Sequence, residues 1–301
     1  MKKNCLFIVV LLCSFFLFAG MDFAEVDNLF FHSDLQGCKS QLDQMLIEAD
    51  NNIDKSEILW RLSRVTLSLG DLLEEEDKDG RFEMFEKGQE YGEQSYNLNK
   101  NPDALIWTAS NMGRWGQTKG ALNSLKKATP MKELLTIATD EFNCLDSSEL
   151  WYCCGALYDQ LPGGFISFGD SVVAVSYMRK AVETISEDVY YGGTYKDLAE
   201  FLYKRDWSQK KRKSEIKSIE KKWNKEKDGN MHKYMYYEGH AGLSYIPPYT
   251  DKQLGDMSDR EEAIEVLKFA INKFDERPFV LEDDEERLVE LKQMLEDYSN
   301  N

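Results

Sequence analysis

The chain has 301 residues, 54 acidic against 37 basic, for a formal net charge of -17 and an isoelectric point near 4.7. A surface that acidic repels a phosphate backbone, which argues against nucleic acid as a partner. The length supports a sizeable core without disulfides.

The first residues, Met1-Lys2-Lys3, precede an almost unbroken apolar run from Cys5 to Gly20, the pattern of a short basic region followed by a membrane-inserting segment. Residues 1–20 therefore read as an export signal peptide, with a signal anchor as the alternative, because the small residues at Ala19 and Gly20 make a poor cleavage site. Cys13 lacks the small residue that usually precedes a lipidated cysteine. The expected location is the periplasm or cell envelope. Four cysteines follow the leader, Cys38, Cys144, Cys153 and Cys154; their spacing matches no metal framework, and buried thiols are the simplest reading.

From residue 35 onward apolar residues recur at helical spacing, with no sustained alternating run. The periodicity predicts helices over 35–51, 55–75, 81–98, 102–116, 118–128, 130–145, 147–160, 169–186, 190–205, 207–227, 258–275 and 281–298, close to six hairpins. The expected fold is all-α, with residues 21–301 forming one domain of tetratricopeptide-like hairpins in a compact superhelix. Trp151-x-x-Cys154-Gly155-x-x-Tyr158 reproduces the first-helix signature of such units, a thiol replacing the leucine. The second-helix pattern of small, large and small residues occurs as Ala121, Leu125, Ala128; as Ala174, Met178, Ala181; and as Ala263, Leu267, Ala270. Trp60, Trp107, Trp151 and Tyr195 mark successive first helices, spaced 47, 44 and 44 residues, longer than the ~34 of a standard unit. Gly88 and Gly92 suggest a further close helix crossing.

Two connections are too long for simple turns: residues 161–170, which hold Pro162-Gly163-Gly164, Phe165 and Phe168, and residues 229–256, rich in tyrosine. Asp170 is positioned to cap the next helix, and Phe165 and Phe168 to line the opening of a cleft. Tyr236, Tyr245 and Tyr249 are candidates for a lid or a partner contact, against packing over the last hairpin. Trp107, Asn111 and Arg114 share one helix face, where a polar pair beside tryptophan would orient a carboxylate or amide; Tyr195 completes the candidate cleft. Lys204 to Lys227 carries eleven bases against four acids, and Asp275 to Asp297 ten acids against three bases.

The run Asn101-Pro102-Asp103-Ala104-Leu105-Ile106-Trp107, then Gly113-Arg114-Trp115-Gly116, the turn Leu161-Pro162-Gly163-Gly164 with Gly169-Asp170, and Tyr191-Gly192-Gly193 to Arg205-Asp206-Trp207 resemble the T-component family of tripartite ATP-independent periplasmic (TRAP) transporters, tetratricopeptide proteins related to the regulators of microtubule dynamics. The resemblance covers about half the chain. It implies an exported, non-catalytic protein, often a trimer, with a cleft through each subunit and a periplasmic solute-binding protein as partner. The lipidation cysteine usual in that family is absent after the leader.

Enzymatic patterns are scarce. His32, His232 and His240 stand in no metal-binding spacing, and no nucleophile elbow, phosphate loop or dinucleotide fingerprint occurs. No cofactor or metal is expected. The sequence supports a binding protein for a small apolar or amphipathic ligand, with a ligand-free protein-interaction scaffold as the alternative. A closed aromatic-lined cavity would fit the first and an open groove the second.

Overall fold

The computed structural model describes residues 21–187, 189–281 and 283–300. The leader, residues 1–20, and the side chains of residues 121–124, with Ala121 among them, lie outside the described residues. All regular structure among the described residues is helical, in an all-α superhelix. The helices are α1 (Ala24–Phe31), α2 (Leu35–Glu48), α3 (Asn52–Asp71), α4 (Lys78–Leu98), α5 (Pro102–Lys119), α6 (Ala121–Asp140), α7 (Ser148–Gln160), α8 (Ser171–Glu183), α9 (Gly192–Arg205), α10 (Gln209–Lys225), α11 (Asn230–Tyr234), α12 (Tyr237–Ala241), α13 (Asp259–Phe274) and α14 (Asp284–Ser299), with one 3-10 turn at Leu254–Asp256.

Many of the starts are set by side-chain caps. Asn51, Asp77, Asn101, Ser147, Ser208 and Ser258 each accept a backbone N–H of the helix they precede, and Asp170 accepts from Val172 and Val173 as its position predicts. Helix α1 was not expected from the periodicity. The two helices expected over 118–128 and 130–145 are the single helix α6, which continues through Pro130. Ala128, Met131, Leu135 and Ala138 are buried along it, and this unbroken stripe outweighs a proline penalty of about 3 kcal/mol.

Three consecutive hairpins pair α3 with α4, α5 with α6 and α7 with α8. Gly155 works as its motif predicts: a Cβ there would stand 3.2 Å from the Met178 nitrogen and 3.3 Å from the Ala174 oxygen, so glycine lets α7 close on the small residues of α8. The turn after α7 also depends on a glycine. The Gly169 N–H donates to the Pro162 carbonyl (3.2 Å) and the Asp170 N–H to the Tyr158 carbonyl (3.1 Å), and a Cβ on Gly169 would overlap the Leu161 carbonyl.

The fourth unit departs from simple succession. Helix α9 packs mainly on α13, while α10 packs on α12, so residues 207–258 are inserted between the two helices of one hairpin. The ends of the insertion are stitched together. Trp207 N–H donates to the Asp259 carboxylate (3.0 Å), Asp259 N–H donates to the Trp207 carbonyl (2.9 Å), and Arg260 pairs with Asp206 at 2.8 Å. This explains why the Ala263, Leu267, Ala270 signature lies so far from Tyr195: all three belong to the second helix of that unit and are fully buried.

A charged network holds the insertion against the repeats. Arg179 of α8 contacts Glu262 (2.5 Å) and Glu238 (2.9 Å); Arg205 of α9 contacts Glu238 (2.5 Å) and Asp259 (2.7 Å); Arg212 of α10 contacts Glu262 (2.7 Å) and Asp259. All six side chains are at most 1% exposed. Two arginines of the basic stretch therefore lie inside the protein. Burial opposes the charge on Glu238, but Arg205 and Arg179 outweigh it and hold the carboxyl at about 2. A carboxyl depressed in the folded state adds stability above its unfolded value of 4.5, and that stability is lost as pH falls toward about 2. Removing one member leaves buried charge uncompensated, so Glu238→Ala should cost about 3–5 kcal/mol in urea denaturation at neutral pH. The loss should shrink as pH is lowered through that window; a variant with wild-type stability would show that the network does not hold the insertion.

Candidate functional site

The first helices of the hairpins line a partly open cavity of about 280 Å³. Leu67 of α3, Trp107, Ser110 and Arg114 of α5, and Glu149, Tyr152 and Cys153 of α7 form its wall, and Tyr191 to Thr194 at the start of α9 close one side. The other side is made by the far end of the chain, through Leu281, Asp283, Asp284 and Arg287.

That last segment is fastened to the beginning of the described chain. Phe279 stacks on Phe31 with ring centroids 5.0 Å apart and meets His32 edge-on at 5.5 Å, while the Ser33 hydroxyl donates to the Val280 carbonyl. Arg277 lies 3.6 Å over Phe274 and pairs with Asp284 at 3.2 Å. First and last elements thus meet, and the segment from Leu281 to Arg287 forms one side of a cleft that stays partly open.

Polar groups of the wall are paired with one another. Arg114 Nε contacts Asp71 at 3.1 Å and its Nη1 donates to Gln117 at 3.1 Å; Asp71 beside it raises the guanidinium pKa further. Burial pushes the Asp71 carboxyl up, against the pull of Arg114 and Arg81. The Tyr152 hydroxyl donates to Asp197 at 2.8 Å, and the charge on Asp197, together with burial, drives that hydroxyl well above its usual range. Tyr191 donates to Glu149 at 2.7 Å, and burial raises its hydroxyl too. Arg287 bridges Asp283 (3.1 Å) and Glu290 (2.5 Å). The Cys153 thiol, 2.9 Å from the Ser110 hydroxyl, is pushed up to about 11 by burial. Such a wall offers apolar and aromatic surface with fixed hydrogen-bonding groups, the character of a small-molecule site. Among the described residues no group of three or more His, Cys, Asp or Glu is placed to hold a metal ion.

The residues singled out in the sequence are dispersed. Trp107 and Arg114 line the cavity. Asn111 does not: it is fully buried, and its amide donates to the Ser63 carbonyl (3.2 Å), the Ser63 hydroxyl (3.1 Å) and the Trp107 carbonyl (2.8 Å). Gly88 leaves the room for it, since a Cβ there would overlap the Asn111 side chain. The helix face shared with Trp107 thus turns at Asn111 toward α3 and α4, and the polar pair expected beside tryptophan is split. Phe165 and Phe168 line a separate shallow depression with Leu125 and Ala128; Phe168 packs on Tyr158 at 5.1 Å, and Phe165 is fully exposed. Tyr195 is buried between Tyr190 (6.1 Å) and Phe269 (5.5 Å) instead of reaching the cavity.

The tyrosine-rich connection is not a lid over the cavity, because none of its residues lines it. Tyr249 is buried, with its hydroxyl between Arg179 (2.7 Å) and Glu262 (2.5 Å). Tyr245 is half-buried and reaches Glu183 at 3.3 Å, and Tyr236 lies half-buried beneath Lys222. Tyr234 and Tyr237 stack at 5.7 Å in an aromatic layer that also holds Trp151 and Trp223. These rings pack the insertion on Trp151 of α7 and join its own helices α10, α11 and α12, while α12 also packs on α8. The four cysteines after the leader carry free thiols, three of them buried.

Closure by the chain end is testable through Cys153, which faces the cavity. Phe279→Ala removes the stack on Phe31, and several-fold faster maleimide labelling of Cys153 is expected, read by peptide mass mapping, with the buried Cys38 unchanged as an internal control. Equal labelling of Cys153 in wild type and variant would mean that this contact does not control access.

Residues 22–158 match the family model described as regulator of microtubule dynamics protein 1-3. No curated protein matches the chain. The similarity covers α1 to α7 up to Tyr158, including the walls made by α3, α5 and α7, and stops before α9 and the closing segment; over that part of its length the chain is similar to the regulators of microtubule dynamics.

Proposed function

We propose that this chain is a non-catalytic exported binding protein, an accessory component of TRAP-type organic-solute uptake, which holds a small apolar or amphipathic ligand in its central cavity. The observation that supports this reading is the aromatic lining of a cleft walled by three hairpins and the chain end. Trp107, Tyr152 and Tyr191 supply aromatic surface, Arg114 stands on the wall, and Leu281 and Arg287 of the chain end add a further side. A periplasmic solute-binding protein as partner, a trimeric assembly and a location in the periplasm or cell envelope follow from the motif resemblance carried by Pro162-Gly163-Gly164, Gly169-Asp170 and the Trp107 helix. The reading requires no reaction. The cavity's thiol, hydroxyls and carboxylates are either buried into their neutral forms or tied up in pairs, which suits retention of a ligand better than attack on it.

One observation favours a second reading, a protein-interaction scaffold. Phe165 and Ile166 project from the turn after α7 with relative exposures of 111% and 71%, and apolar side chains held out on a turn are what a partner pocket would take.

Native mass spectrometry of protein purified from its own host separates the two. On the first reading a reproducible small-molecule mass accompanies the protein; it disappears in Trp107→Ala and persists in Phe168→Ala, whose ring lies in the other depression. A protein without added mass at every charge state, accompanied by another exported polypeptide that is lost in Phe165→Ser, would overturn the cavity reading in favour of the scaffold.

A further inference from the structure

The insertion carries a feature that neither the cavity nor the repeat packing uses. Helix α10 turns Arg212, Ile216, Ile219 and Trp223 toward the protein, the first three of them buried. Its opposite side presents Lys210, Lys211, Lys213, Lys217, Lys221, Lys222 and Lys225, all exposed. Lys210, Lys213, Lys217 and Lys221 form one stripe at helical spacing. Intramolecular acids do little to neutralise it: among the described residues the stripe's salt bridge is Lys213 to Asp256 at 3.9 Å, both largely exposed. Lys211 and Lys222 lie over Trp207 and Tyr236. A dense cationic face thus projects from a chain whose net charge is -17.

We propose that the outer face of α10 rests on an anionic lipid bilayer. Charge complementarity selects an anionic surface, and the side-chain chemistry selects its kind. No exposed large apolar side chain lies between residues 204 and 227, so the face lacks the aromatic or aliphatic anchors on which protein interfaces depend. Lysine is a mobile, strongly hydrated point charge, suited to a diffuse layer of headgroups more than to fixed recognition. The exposed acids nearest the stripe, Glu220 on α10 and Asp256 beside Lys213, are outnumbered by its lysines, and screening over about 8 Å at physiological ionic strength weakens repulsion from the acidic remainder of the molecule. A bilayer is favoured over a dissolved polyanion because the sequence opens with Lys2-Lys3 and the apolar run from Cys5 to Gly20, which directs the chain to a membrane. The inference shares that export reading with the proposed function and is independent of any ligand in the cavity.

The experiment is co-sedimentation of the chain from Met21, which holds every element of the fold described, with phosphatidylglycerol-rich and with pure phosphatidylcholine vesicles at low and physiological salt. Partition into the anionic vesicles is expected, weakening as salt rises. The variant Lys210→Glu, Lys213→Glu, Lys217→Glu, Lys221→Glu should lose roughly tenfold or more of it. A charge-matched control, Lys78→Glu, Lys87→Glu, Lys126→Glu, Lys268→Glu, changes exposed lysines on α4, α6 and α13 and should bind clearly better than the α10 variant. Thermal unfolding of both variants checks that the fold is kept. Equal losses in the two variants, binding to neutral vesicles as strong as to anionic ones, or no binding at low salt would each overturn the proposal. Tighter binding to duplex DNA than to the vesicles at the same salt would overturn it in favour of a dissolved polyanion. Ligand mass in the cavity, read separately, is untouched by any of these outcomes.

Discussion

Three arginines and three carboxylates, sealed inside the protein, fix the relation between the repeat array and the chain inserted into it. Desolvating six charges is costly, and it is offset here because each guanidinium reaches two carboxylates and each carboxylate two guanidinia. Tyr249 and the Leu254 carbonyl take further donors and acceptors of the set. The six side chains come from five helices: α8 and α9 of the repeats, α10 and α12 of the insertion, and α13, which completes the fourth hairpin. The network joins the repeats to the insertion at the point where α9 and α13 pair across some fifty intervening residues, beside the apolar packing of Leu198 and Leu202 and of Val266 and Leu267.

The consequences extend to the cavity. With α9 held on α13, its first residues, Gly192 to Thr194, form part of the wall, and α13 leads directly into the segment that crosses the inner face. Gly192 sits so close to the Arg287 side chain that a Cβ would stand 3.0 Å from it. The stacking of Tyr203 on Tyr298 at 3.7 Å ties α14 to α9 farther along. The shape of the cavity is thus the combined result of the repeats, a fourth hairpin completed out of sequence and a last segment fastened to residues 31–33.

Most of the fold was legible because its main constraints are local. Helical periodicity, caps such as Asp170 and the close approach at Gly155 each depend on residues a few positions apart. The 44-residue recurrence of Trp107, Trp151 and Tyr195 identified successive first helices correctly, and Ala263, Leu267 and Ala270 carried the second-helix pattern although their partner helix lay far upstream. Pro130 misled because a proline marks a break unless packing on both sides overrides it, and packing is not a local property. The site was less legible for the same reason. Trp107 and Arg114 were found through their shared helix face, but that face changes environment at Asn111, where α4 presents Gly88. Tyr152, Tyr191 and Glu149 carry no distinguishing spacing, and Arg287 enters the cavity only because the chain end folds back. Tyr249 stood out by composition, yet its place beside Arg179 is set by the buried charges, whose members are spread over more than eighty residues.

The chemistry of the wall bears on what such a cavity can do. A catalytic group must be both available and poised near the working pH. Cys153 is held at about 11 by burial and is a neutral thiol at physiological pH. The hydroxyls of Tyr152 and Tyr191 are committed to Asp197 and Glu149, and Arg114 is already engaged with Asp71 and Gln117. The fixed positions of groups paired in this way lower the entropic cost of receiving a molecule of matching shape. A ligand that entered would gain contact with Trp107 and the apolar wall without disturbing most of these pairs.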